Sequence, residues 1–255
     1  MPQFGQLDLQ AVLPELPELP DLDTAAWELP GTQLLYLALE VEVAVVDALL
    51  PKALHPAVPR YVTVLVTQYA ESPVGPFRLA QLRLMARAGV HPRGYVVHAY
   101  TNQARATTEL RRRWGFPVET ADDMRLRVHH DRVRATVEAG GRMLLDCALT
   151  HHEVVAGTDI NYISSVHLAQ VTGGAHAGPR LVQVDPRYTI HQAERGRPEL
   201  YSLDEAAWQV QGFRVVHPII GTFTTVDTDL PRIRFIMDPK TPVIHGTTRV
   251  RESRE

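Results

Sequence analysis

From Thr32 to Asp238 the chain is written largely in short runs that alternate apolar and polar residues with period two, among them YVTVLVTQY, FRLAQLRLMA, GYVVHAY, MRLRVHH, RVRATVEA and RIRFIMD. Successive side chains of a strand point to opposite faces, so such runs suit half-buried strands and not helices, whose apolar positions recur every three or four residues. Turn signals part the runs at regular spacing: SPVGP at 72–76, AGVHPRG at 88–94, AGG at 139–141 and GGAHAG at 173–178. Helical patterning is confined to VAVVDALLP before Pro51, NQARATTELRRRW before Gly115 and a short third stretch, SLDEAAW. The pattern predicts a mostly β (α+β) fold, with a large antiparallel sheet curled into a barrel or a pair of cone-like sheets and few short helices.

The first 31 residues have a different texture. LPELPELPDL carries a proline at about every third position, which forbids a regular helix and favours an extended path. Residues 1–31 are therefore expected to form a proline-rich arm laid on a neighbouring subunit of a homo-oligomer, a dimer or larger, and residues 32–255 a single domain. With 45% hydrophobic residues, a chain of 255 can bury a full core. Its formal net charge of −3 offers no long-range attraction to phosphate backbones, so nucleic acid is not an expected partner. A lone Cys147 rules out an internal disulfide and a thiolate zinc site. No apolar run approaches the roughly 18 residues that span a bilayer, and no basic region precedes an apolar one at the start, so a cytoplasmic protein without a membrane partner is expected.

One segment carries more information than the rest. AYTNQARATTELRRRWGFP reads as a strand end, a polar turn, a short helix and a Gly-aromatic-Pro exit back into the sheet. This resembles the acetoacetate decarboxylase family, in which the same succession leads into the lysine that forms an imine with a keto acid. The likeness extends, in order, through the helix ending at Pro51, SPVGPF at 72–77, NYISSVHLAQV from Asn161, IHQAERGRPEL at 190–200 and VVHPIIGTFTTVDTDLP at 215–231. The resemblance implies an acetoacetate-decarboxylase-like fold over roughly Thr32 to Pro242. It also implies a pocket, and there this chain departs. Where the family places its lysine, after Pro117, stands Val118, followed by Glu119. The glutamate expected two residues beyond Gly75-Pro76-Phe77 falls on Leu79, the one on the preceding strand on Val64, and the substrate-carboxylate arginine near Thr32. Only Lys52 and Lys240 carry amines, beside Pro51 and in a DPKTP turn, where a solvent-exposed role is expected.

Four apolar or neutral replacements at family pocket positions argue against acetoacetate decarboxylation through an imine and for a re-purposed chamber. On period two, Val64, Val66 and Gln68 share one face of their strand, and Phe77, Leu79 and Gln81 one face of the next. With Thr32, Phe116 and Val118 these residues are expected to enclose an apolar pocket in which Gln68 and Gln81 are the neutral hydrogen-bonders. His98 and Tyr100 share a strand face and are the acid/base candidates if that face is inward; Glu119 is a further candidate, with a salt bridge to Arg111, Arg112 or Arg113 as its ordinary role. The pairs His129-His130 and His151-His152 point to opposite faces, so no metal site is expected, and no cofactor. The function that follows is a small-molecule, natural-product type enzyme promoting cyclisation, isomerisation or dehydration of a keto or polyketide-like substrate without a Schiff base. A non-catalytic binding protein for a hydrophobic carboxylic acid or ketone is the alternative, and an imine-free decarboxylase a third.

Overall fold

In the computed structural model, which describes residues 4–250, the alternating runs pair into one sheet of sixteen strands. Trp27–Val41, Tyr61–Tyr69, Phe77–Ala88 and His91–Thr101 are successive antiparallel neighbours at its middle. Beyond Trp27–Val41 the sheet continues through Val215–Leu230, Arg187–Leu203, Arg142–Val155, Arg132–Ala139 and Asp123–Val128. Beyond His91–Thr101 it continues through Ser165–Val171, Gly178–Val184, Phe235–Met237 and Thr247–Arg249.

The sheet is mixed, where the alternation alone predicted an antiparallel one. His91–Thr101 pairs in parallel with Val118–Thr120 and with Ser165–Val171, which pairs in parallel with Glu18–Leu19. A parallel neighbour needs a crossover, and helix Ala104–Trp114 supplies it between His91–Thr101 and Val118–Thr120. The helix predicted before Pro51 is Val43–Leu49. SLDEAAW is not helical: Ser202 and Leu203 finish a strand, and Asp204 then accepts bonds from the backbone N–H groups of Ala207 and Trp208 in a tight turn. That turn seats the fully buried Trp208, whose indole N–H donates to the Leu144 carbonyl at 2.9 Å. Among the described residues no helix is long and apolar enough to cross a membrane.

Apolar side chains are buried on both faces of the central strands. One cluster holds Leu35, Leu37, Val62, Val64, Val66, Leu82 and Leu84. The other holds Leu29, Phe77, Leu79, Ala99, Trp114, Phe116 and Val118.

The proline-rich arm is not extended throughout and does not end at residue 31. Its described part contains a short helix, Leu9–Val12, capped by Asp8 just before the first proline of the repeat. It lies on its own chain: the Gly5 and Leu7 N–H groups donate to the carbonyls of Leu54 and Leu50, Gln170 N–H donates to the Pro17 carbonyl, and Leu19 is fully buried. Strand Trp27–Val41 also runs unbroken across the 31/32 boundary.

Helix Ala104–Trp114 stops at Gly115, which adopts φ 68° and ψ 29° and donates its N–H to the Arg111 carbonyl. A Cβ at Gly115 would come within 2.6 Å of the Ala169 Cβ. The residue is thus required both for its left-handed backbone and for its lack of bulk. Gly115→Ala is expected to cost about 2 kcal/mol or more, read as a lowered denaturant midpoint with unchanged slope.

Candidate functional site

The turn at Gly115 delivers Phe116-Pro117-Val118 against the sheet face that carries Phe77, Leu79, Gln81 and Arg83 at alternate positions of one strand. Register places Tyr69 opposite Phe77, Thr67 opposite Leu79, Leu65 opposite Gln81 and Thr63 opposite Arg83 on the neighbouring strand. Ser165, Tyr188, Thr228 and Leu29 close the space from more distant strands. What remains is a chamber of about 20 Å³, room for about one water. Val118 is fully buried in the apolar cluster that surrounds it, and the Arg111 guanidinium donates to the Val118 carbonyl at 3.2 Å, holding the backbone there.

The chamber walls are greasy, but its polar groups form one set. Arg83 is only 6% exposed; its Nε donates to Gln81 Oε1 at 2.7 Å and its Nη1 to the Ile163 carbonyl at 3.4 Å. With its oxygen engaged by Arg83, Gln81 presents its amide N–H groups. Ser165 Oγ and Thr228 Oγ1 are buried without a partner, and the Tyr188 hydroxyl is held above its ordinary pKa by burial, so it stays protonated. Every polar side chain in this set can donate a hydrogen bond.

A second space adjoins the first. A vestibule of about 340 Å³ is lined by Gln68, Arg78 and Asn102 and shares Tyr69 and Phe77 with the chamber. The two rings pack 4.6 Å apart at 37° and form the partition. Gln68 therefore stands outside: its Nε2 donates to Gln33 and its Oε1 accepts from Arg78 Nε at 2.7 Å.

Other expected pocket residues are also displaced. Val64 and Val66 belong to the opposite core, because Leu65, Thr67 and Tyr69 take the chamber face. Thr32 is buried and its hydroxyl donates to the Leu29 carbonyl at 2.8 Å; Leu29, not Thr32, reaches the chamber. His98 and Tyr100 face away as well. A register shift at Val97 puts His98 opposite Leu82 and Tyr100 opposite Ala80, on the other face of the sheet. Tyr100 donates its hydroxyl to the Ala207 carbonyl at 2.8 Å and its pKa is pushed up to about 12, chiefly by burial.

His98 instead lines a groove of about 890 Å³ between the sheet and the arm, together with Glu119. Its Nε2 is buried without a hydrogen-bond partner, 3.8 Å from the Glu119 carboxylate. Burial lowers the His98 pKa; Glu119 opposes the shift and Arg111 adds to it. Arg112 and Arg113 are both taken by Glu109, at 3.1 and 2.6 Å, not by Glu119. Lys52 and Lys240 are exposed and flank one surface cleft near Gln6–Gln10; neither lines the chamber.

The candidate site is thus a small sheet-face chamber bordered by an aromatic pair and by the Phe116 that the helix-to-strand elbow delivers. Several solved structures share the fold at low sequence identity. Acetoacetate decarboxylase from Legionella pneumophila subsp. pneumophila str. Philadelphia 1 is 15% identical with a TM-score of 0.71, over 82% of this chain and 86% of that one. The enduracididine biosynthesis enzyme MppR complexed with pyruvate is 14% identical with a TM-score of 0.69, over 84% and 91%. An acetoacetate decarboxylase-like enzyme from Sphingomonas wittichii RW1 is 16% identical with a TM-score of 0.64, over 83% and 92%. No curated protein matches the sequence. The acetoacetate decarboxylase family model matches residues 18–239, and the chain belongs to the acetoacetate decarboxylase family. Its match begins at the first described strand, Glu18–Leu19, ahead of the expected Thr32.

Proposed function

We propose that this family member is a small-molecule enzyme that works in the Phe77–Gln81 chamber without an imine, promoting cyclisation, isomerisation or dehydration of a keto or polyketide-like substrate. What supports the proposal is the chemistry of the chamber beside the elbow: no lysine lines it, Val118 next to its Phe116 wall is fully buried, and the polar side chains that do line it are donors. In acetoacetate decarboxylase a lysine made nucleophilic by its surroundings attacks a carbonyl, and the iminium that forms withdraws electrons. Valine cannot do this. Donors aimed at a carbonyl or at a departing hydroxyl withdraw electrons by hydrogen bonding instead, and they act most strongly where water is excluded.

A substrate admitted past Tyr69 and Phe77 would be held by the apolar walls in a folded conformer, which suits ring closure or loss of water. Gln81 polarises its carbonyl, and the protonated Tyr188 hydroxyl is the proton donor nearest to hand in the lining. The binding-protein alternative draws support from a different feature: among the described residues no histidine or carboxylate lines the chamber, so a strong general base is missing from it.

The test is to incubate the protein with β-hydroxyketones and 1,5-diketones and follow enone absorbance, with binding measured in parallel by calorimetry. Enone formation that falls about ten-fold or more in Gln81→Leu and Tyr188→Phe is expected. Probes that bind but persist would make the protein a binder.

A further inference from the structure

The sheet parts along one edge of strand His91–Thr101, and the parting leaves an opening. Its first edge pairs with Phe77–Ala88. On the other, Ser165 and Val166 lie beside Gly94 and Tyr95, and Val118–Thr120 beside Ala99–Thr101, so Val96, Val97 and His98 have no neighbouring strand there among the described residues. These three and the arm together line the groove of about 890 Å³, a size that suits a small-molecule ligand. Leu7, Val12, Leu16, Leu49 and Val97 all line it and are only partly buried, so apolar surface is left on its walls. His98 is 4% exposed, yet its Nε2 has no hydrogen bond. The Glu119 carboxylate stands 3.8 Å from that nitrogen on a side chain that is 59% exposed. The other charged groups in the lining are Glu15 and Arg111, whose guanidinium donates to the Val118 carbonyl. Burial lowers the His98 pKa and favours the neutral ring, so two carboxylates stand against one guanidinium. A single positive charge would balance the groove.

We propose that this groove is a second ligand site and that its ligand is a primary amine on an apolar chain, the ammonium donating to His98 Nε2 and to the Glu119 carboxylate while the chain lies against Leu7, Leu16 and Leu49. A neutral imidazole offers one ring nitrogen as an acceptor, and an ammonium carries three donors. Two acceptors 3.8 Å apart can both lie about 2.8–2.9 Å from one nitrogen, the distance of a charge-assisted hydrogen bond. Such a ligand removes the cost of a buried ring nitrogen left without a partner. A hydroxyl can also bridge the two groups, but it brings no charge to set against the carboxylates, and an acid brings the wrong one. The inference goes beyond the chamber chemistry proposed above and does not depend on it.

Isothermal calorimetry of the full chain at about pH 7 with hexylamine, 1-hexanol and hexanoate tests this. Hexylamine is expected to bind about ten-fold or more tightly than 1-hexanol, and hexanoate not at all. Butylamine, two methylenes shorter, should bind about ten-fold more weakly than hexylamine. Glu119→Gln, at an exposed side chain, should weaken hexylamine about ten-fold and leave 1-hexanol unchanged. His98→Phe keeps an aromatic ring beside Tyr100 and Trp208 but has no acceptor, and should weaken hexylamine as much. Equal affinity for hexylamine and 1-hexanol would overturn the proposal, as would hexylamine binding that survives both variants, or no hexylamine binding at all. Should His98→Phe not fold, the amine-against-alcohol comparison and Glu119→Gln still decide. Enone formation is read separately and bears on the chamber alone.

Discussion

Val118→Lys is expected to unfold about 3 kcal/mol or more below the wild type at pH 7 and to gain no acetoacetate decarboxylase activity. The residue is fully buried among Phe116, Leu79 and Ala99, so the new ammonium has no counter-charge and the longer side chain no room. A lysine held there has its folded pKa depressed below the ordinary value near 10.4. The cost is therefore full at neutral pH, shrinks as pH rises towards that value and disappears above it, leaving only the steric part. The amine would also lack the glutamates that the family pocket supplies, since Leu79 takes one of those positions. Chemical denaturation at pH 7 and at about pH 10.5, where the amine is half neutral even when unfolded, checks the first half, and carbon dioxide release from acetoacetate the second. A stable variant that decarboxylates acetoacetate would mean that the chamber still carries the older chemistry.

The second large effect is on acid stability. His167 is fully buried, stacked 4.4 Å from Phe116, and its Nε2–H donates to the Trp114 carbonyl at 2.8 Å, while Nδ1 has no partner. Burial pushes its pKa down to about 4 against an ordinary value of 6.5; the bond to Trp114 opposes the shift and Arg83 adds to it. Because the folded pKa is the lower one, the unfolded chain takes up a proton first as pH falls. The stability linked to this group is whole above about pH 6.5 and is lost on the way down to about pH 4, roughly 3 kcal/mol in all. His98 is shifted the same way by burial and adds to the same limb. Urea denaturation across the range from about pH 7.5 to about pH 4.5 should show a steep acid loss that His167→Gln flattens. An acid limb of equal slope in the two proteins would mean that His167 does not stay neutral in the fold. That matters for the chamber, because this ring anchors the helix end from which Phe116 enters it.

How much of this was legible in the sequence differs from residue to residue. The helix-to-strand elbow was readable in full: a helical run with Trp114 at its end, Gly115, an aromatic and Pro117 leave few other conformations. Phe77, Leu79 and Gln81 were placed on one face correctly by period two. The same count carried one step further reaches Arg83, and an arginine inside LRLMA was a signal that a buried polar site lay there. For YVTVLVTQY the count fails, because that strand is buried on both faces and either parity gives an apolar side; Val64 and Val66 went to the wrong one. His98 and Tyr100 depended on a single extra residue at Val97, which turns the strand by one position and has no mark in the local pattern. Ser165, Tyr188 and Thr228 reach the chamber through pairings between strands far apart in the chain, and such registers are set by the assembled sheet. For the arm, alternating leucine and proline specify an extended path with apolar contacts but not which surface supplies them.

The central claim is that this chamber works without a covalent amine adduct, and borohydride trapping tests it most directly. The protein is incubated with acetoacetate or acetylacetone, reduced with borohydride and measured by intact mass. An unchanged mass is the expected result, with Lys52 and Lys240 exposed outside the chamber and Val118 buried in the apolar cluster behind Phe116. A stoichiometric adduct, mapped to Lys52 or Lys240, would contradict the account.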